Sequence, residues 1–142
     1  MSAAHSWRHR RLPPAPPWCV GERGSVSMQV VILLPLLFSI MFLGLQAALF
    51  YHARTVAIAA AQEGARAAGS ETGSAGEGIA AAAAFIAAAG GADFIEGASV
   101  SGSRSATTAT VTVSGRSLSV LPGWSPRVTQ SATMPVERLT TG

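Results

Sequence analysis

The residue types that carry chemistry are few in this chain and stand apart. Its 142 residues hold three His, one Cys and seven acids. His5, His9 and Cys19 lie near the start, and His52 stands alone further on. A metal site needs several such ligands at short fixed spacings, and this chain has no such cluster. The acids occur singly, so no paired carboxylates offer acid–base chemistry. No G-x-S-x-G, Walker A or H-E-x-x-H pattern is present. Gly97-Ala-Ser-Val-Ser-Gly102 has the composition of a strand and turn, without the spacing of a nucleophile elbow. The expectation is a protein that is not an enzyme and has no cofactor, no metal and no small-molecule substrate. A single cysteine excludes a disulfide within the chain.

The basic residues do not point to nucleic acid either. All ten are Arg. Residues 1–24 carry Arg8, Arg10, Arg11 and Arg23 against Glu22, a net charge of +3. Residues 52–142 carry six Arg and six acids, a net of zero. The pI of about 10.5 therefore reflects the first residues. No basic stripe interleaved with aromatics is available to track phosphates.

Two features of possible chemical consequence remain. One is the peptide bond between Gly24 and Ser25, which another enzyme could cut. The other is Gln29, a polar group at the head of an apolar run. Both are positioned by that run. From Ser25 to Tyr51 there are 27 residues and no charge. A hydrocarbon core about 30 Å thick needs ~20 residues of apolar helix. Val30–Phe50 contains 14 residues of the Leu/Ile/Val/Phe type, contributing about −4 to −8 kcal/mol to insertion. Pro35, Ser39 and Gln46 oppose it. The expectation is a transmembrane helix over 25–51, with a kink at Pro35, which cannot donate to the Val31 carbonyl. The arginine imbalance sets the direction: N-terminus cytoplasmic, C-terminal bulk across the membrane.

Residues 1–24 read as a disordered, basic cytoplasmic leader, broken by Pro13, Pro14, Pro16 and Pro17. Three readings compete at the Gly24 junction. A cleaved secretory signal has a shorter apolar core and a small-residue site after it. A plain signal anchor fits the length and the charges. The third is cleavage before the apolar run, after Gly24, which keeps the hydrophobic segment at the new N-terminus.

Arg23-Gly24-Ser25-Val26-Ser27-Met28-Gln29-Val30, then Leu34-Pro35-Leu36-Leu37, then Ala61-Gln62-Glu63-Gly64-Ala65-Arg66-Ala67-Ala68 together resemble the TadE-like family. These are pseudopilin-like proteins of Tad/Flp pilus loci. The resemblance covers about residues 22–69, and Glu63-Gly64-Ala65-Arg66 is its most specific part. It implies membrane lipid, other pilin-like subunits, a Tad inner-membrane platform, a secretion ATPase and a prepilin leader peptidase as partners. One departure stands out. The family usually has Glu five residues after the Gly, where this chain has Gln29. A buried carboxylate there would seek a partner, such as the freed amino terminus of a neighbouring subunit. Gln29 keeps a hydrogen-bonding amide and lacks the charge. It fits a minor, capping or non-filament subunit, or a plain anchor.

Beyond the membrane, residues 52–69 should continue the helix, with Glu63 and Arg66 paired at i,i+3 and Gly69 ending it. From Ser25 to Ala68 such a helix measures about 66 Å, the shape of a pilin-like spine. Gly44 and Ala48 form a small-xxx-small pair that another helix could approach. Ser74-Ala-Gly-Glu77 reads as a capping box opening a helix to about Ala89. Ile79, Ala82, Ala83 and Ile86 form its apolar stripe, and Gly90-Gly91 stops it. Ala98–Ser101 is a short candidate strand followed by a Gly-Ser-Arg-Ser loop. Thr107–Ser114 alternates, with Ala109, Val111 and Val113 on one face. Leu118–Leu121 is a candidate edge piece, Pro122-Gly-Trp-Ser-Pro126 a turn, and Val128–Val136 a further strand. The expected fold is α+β: a single-pass membrane protein with a long N-terminal helix, a short Ala-rich helix and a small antiparallel sheet in an extracytoplasmic domain, 70–142. That domain is small enough to be marginal alone and should depend on the helix for burial. The leading function is helix-mediated assembly in a Tad/Flp pilus or secretion system. The alternatives are a membrane-anchored binding domain unrelated to pili, and a secreted protein released after the apolar run.

Overall fold

The computed structural model describes residues 23–138. Their elements are α1 (Arg23–Gly69), α2 (Ala75–Ala88), α3 (Gly91–Phe94), β1 (Ile95–Arg104), β2 (Thr108–Ser117) and β3 (Arg127–Pro135). The fold is α+β, with a long apolar N-terminal helix, a shorter helix and a three-stranded antiparallel sheet in the order β1-β2-β3. The proline-rich leader, its tryptophans, His5, His9 and Cys19 lie outside the described residues.

The chain divides into two compact units, one up to Phe38 and one over Ser39–Gly142. In the first, α1 is helical from Arg23, and every side chain described from Met28 to Phe38 is exposed. The second unit holds the core.

Within that unit α1 buries Ala53, Val56, Ala57, Ala60, Ala61, Gly64, Ala65 and Ala68. The spacing of three and four residues is that of one helix face. The alanines therefore do more than favour helix. Their short side chains let the sheet and α2 come close. Ala109, Val111 and Val113 of β2 and Val128 of β3 cover this seam, as the alternation predicted. Serine and threonine hydroxyls fill the opposite face, where Thr110 meets Thr133 at 2.9 Å and Thr112 meets Ser131 at 3.0 Å.

α2 starts as expected: the Ser74 hydroxyl caps it, accepting the Glu77 N–H at 3.2 Å. Its buried line is Gly78, Ala82 and Ile86, while Ala83 is exposed and Ile79 half-buried.

Three local expectations need correction. β1 is longer than Ala98–Ser101: Gly102, Ser103 and Arg104 pair with Val111, Thr110 and Ala109. Small polar residues suggested a loop, but on the paired strand only Ser103 faces solvent, while Gly102 lies against α2 and Arg104 against the end of α1. The turn instead centres on Ser105–Thr107, where the Ser105 hydroxyl accepts the N–H groups of Thr107 and Thr108 at 3.2 and 3.0 Å. Leu118–Leu121 is not a strand; its polar groups go to α1, as described below. The single-turn helix α3, between Gly90 and β1, was not foreseen.

The inward alternation of β1 brings Arg104 to the end of α1. Its Nη1 lies among the carbonyls of Ala68, Ser70 and Gly73, and Nη2 donates to the Glu71 carbonyl at 3.2 Å. The last carbonyls of a helix lack partners of their own and favour a cation. Arg104 answers both needs from 31 to 36 residues away. Removing it leaves several acceptors in a half-buried place. Arg104→Ala should cost about 2–3 kcal/mol, the range for charge-assisted bonds. Arg104→Lys should cost less but still lose the fork geometry. Urea titration of the detergent-solubilised chain measures this; an unchanged midpoint in Arg104→Ala would remove the cap from the account.

Candidate functional site

The candidate site residues fall along α1 and divide by environment. Gly24 and Ser25 lie in its first turn. Gln29 is exposed, among Met28, Val30, Val31 and Ile32, all more than half exposed. α1 continues through Pro35. Gly44 has open space around its α-carbon, with nothing within 4 Å of where a side chain would begin. From Met28 to Leu45 each large apolar side chain is between 40 and 73% exposed. Met28–Gly69 is a helix long and apolar enough to cross a membrane. The exposed stretch is a candidate membrane anchor, because so much apolar surface is ordinarily covered.

The distal segment has a different role. Glu63 and Arg66 pair at 2.6 Å on the exposed side, as predicted. Gly64 and Ala65 are buried. A Cβ on Gly64 would lie 2.5 Å from the Gly78 carbonyl oxygen and 2.9 Å from Ala82 Cβ. A Cβ on Gly78 would lie 2.7 Å from the Gly64 carbonyl oxygen. The two helices cross backbone to backbone at this pair of glycines. The segment that carries the sequence resemblance is thus a packing device.

Gln46 is the functional residue that sequence reasoning missed. It counts against membrane insertion, yet it is 1% exposed. Its Oε1 accepts the Val120 N–H at 3.0 Å, and its Nε2 donates to the Leu118 carbonyl at 3.4 Å. The Ser119 hydroxyl lies 3.1 Å from the same Oε1 and accepts the Leu121 N–H at 3.2 Å. One side-chain amide thus holds the β2–β3 connection, Leu118–Pro126, against α1. Within it Trp124 N–H donates to the Leu121 carbonyl at 3.3 Å. Pro122 and Gly123, the latter at φ +81°, occupy the central positions of a type II turn. A polar residue inside an apolar run was the only sequence signal, and its partners lie more than seventy residues away.

His52, the lone histidine of this region, meets the Phe94 ring edge-on at 4.7 Å. Among the described residues no group of three His, Cys, Asp or Glu could hold a metal.

The fold and these surfaces define a class: an α+β domain with a long N-terminal helix whose exposed apolar stretch is a candidate membrane anchor. Residues 24–66 match the family model described as TadE-like protein. The match runs from the Gly24 junction to Arg66, the stretch whose residues carry the resemblance. No curated protein and no solved structure matches the chain.

Proposed function

We propose that the protein is a pseudopilin-related membrane component of a Tad/Flp pilus or secretion assembly, acting through helix contacts and not through catalysis. The observation that carries this is the exposed apolar surface of Met28–Leu45 within a TadE-like segment. Other pilin-like subunits or platform proteins are the partners this surface suits, and Gly44 with Ala48 offers the closest approach for a helix. The N-terminus is cytoplasmic and the sheet extracytoplasmic, following the arginine imbalance. A prepilin leader peptidase is the enzyme for the Gly24–Ser25 bond. Gln29 suits a subunit that does not rely on an intramembrane charge pair.

The N-terminal sequence of the mature protein tests this directly. A start at Ser25 is expected, and replacing Gly24 by a bulky residue should block maturation. Normal maturation of that variant would end the pseudopilin route and leave a membrane anchor. A start between Ala48 and Ala61 would end both.

A further inference from the structure

We propose that the β2–β3 connection, Leu118–Pro126, is a collar seated in the headgroup layer of the membrane, and that Gln46 marks where the hydrocarbon ends. This rests on reading α1 as a membrane anchor.

Every residue described from Met28 to Leu45 is exposed, and Gln46, at 1% exposure, is the first buried residue of α1 among those described. Gln46 binds irregular backbone at Leu118 and Val120. Irregular backbone does not lie open to hydrocarbon, because its N–H and C=O groups find no partners there. The hydrocarbon must therefore stop at this level, about a turn and a half before Tyr51, where composition alone placed the limit. Eighteen residues of helix, as from Met28 to Leu45, measure about 27 Å, which matches a hydrocarbon core of about 30 Å.

The side chains around this level are those of a membrane interface. Leu43, Ala47, Phe50 and Tyr51 of α1 line one apolar groove of about 230 Å³ with Trp124 and Pro126 of the connection. Tyr51 is 62% and Trp124 51% exposed. Exposed Trp and Tyr concentrate where apolar surface meets headgroups, since each ring has an apolar body and a polar tip.

A second observation points to the same layer. Arg116 and Arg127 are direct cross-strand partners at the end of the sheet from which the connection leaves. Both are exposed. Like charges directly opposite are unfavourable, and neither arginine forms an ion pair among the described residues. They line an open cleft of about 520 Å³ with Glu96 and the hydroxyls of Thr112, Ser114 and Thr129. Anionic lipid phosphates would relieve the arginine pair, and Glu96 reduces the site to a net single positive charge.

The test uses the full chain with Trp7→Phe and Trp18→Phe, which leaves Trp124 as the sole tryptophan of three. It is reconstituted into phosphatidylcholine/phosphatidylglycerol vesicles. Brominated phosphatidylcholines carry the quencher either just below the headgroup or deep in the acyl chain. Blue-shifted Trp124 emission is expected, with shallow bromine quenching roughly twofold more than deep bromine. In the Arg116→Gln, Arg127→Gln double variant, the gain in quenching on adding phosphatidylglycerol should disappear. Three results would overturn the collar while leaving the anchor intact in a protein that floats with the vesicles. They are emission as in water without quenching, blue-shifted emission that no lipid quenches (another chain covers the groove), and deeper quenching by the deep bromine. Failure to float would end the anchor reading, and the collar with it.

Discussion

A fragment of residues 70–142 is expected to show no cooperative unfolding transition, although it retains α2 and the whole sheet. Among the described residues the buried hydrophobic core has fourteen members, and seven of them, Ala53, Val56, Ala57, Ala60, Ala61, Ala65 and Ala68, belong to α1. Without that face, Val111, Val113 and Val128 lose the surface that covers them. Burial of a Val-sized side chain contributes about 1.5–3 kcal/mol, so the loss for three is roughly 5–9 kcal/mol. A domain of this size has only about 5–15 kcal/mol in total. The fragment also loses the helix end that Arg104 caps and the Gly69 carbonyl that accepts the Glu137 N–H at 2.9 Å. Deleting residues 52–68 within the full chain should have the same outcome. The check is a urea titration followed by circular dichroism, with a peptide covering α1 from Leu43 to Gly69 added in trans to restore the transition. A sharp transition in the fragment alone would show that the sheet and α2 are self-sufficient.

The second large effect concerns Gly64. Helix propensity by itself says that Gly64→Ala stabilises, by about 1 kcal/mol. Packing says the reverse. The new Cβ would sit 2.5 Å from a backbone oxygen of α2 and 3.0 Å from Val111 Cγ1. The carbonyl belongs to a helix and cannot turn away without moving it. Overpacking of this kind costs about 1–3 kcal/mol, so against the propensity gain Gly64→Ala should lose up to about 2 kcal/mol net. Gly64→Val places two further carbons in the same space and should remove most of the folded population. Gly44→Ala is the matched control on the same helix, and there the packing penalty is absent. Denaturation midpoints of the three variants decide the matter. A stable Gly64→Val protein would mean that α1 and α2 do not touch here. The two surfaces also separate by effect: Gly64 variants should lose the fold, whereas changes on Met28–Leu45 should leave it intact.

Local pattern carried much of the fold. The uncharged apolar run, the Ser74 cap and the alternation of Ala109, Val111 and Val113 are each readable over a few residues, because each follows from helix or strand periodicity. The Glu63–Arg66 pair was legible for the same reason. β1 was read too short because Gly102, Ser103 and Arg104 have no apolar face of their own; pairing with β2 makes them a strand. Leu118–Leu121 reads as a strand because it is apolar, yet its Leu118 carbonyl and Val120 N–H are taken by the Gln46 side chain of a distant helix.

The sequence by itself determined the long apolar helix, a candidate membrane span, and the α+β class, both of which depend on composition and spacing along the chain. Only the tertiary structure decided what the polar and small residues are for. Gln46 fastens a connection, Arg104 caps α1, and Gly64 with Gly78 lets two helices meet. Each role depends on a partner far away in the chain, and such pairings have no period for a sequence to display.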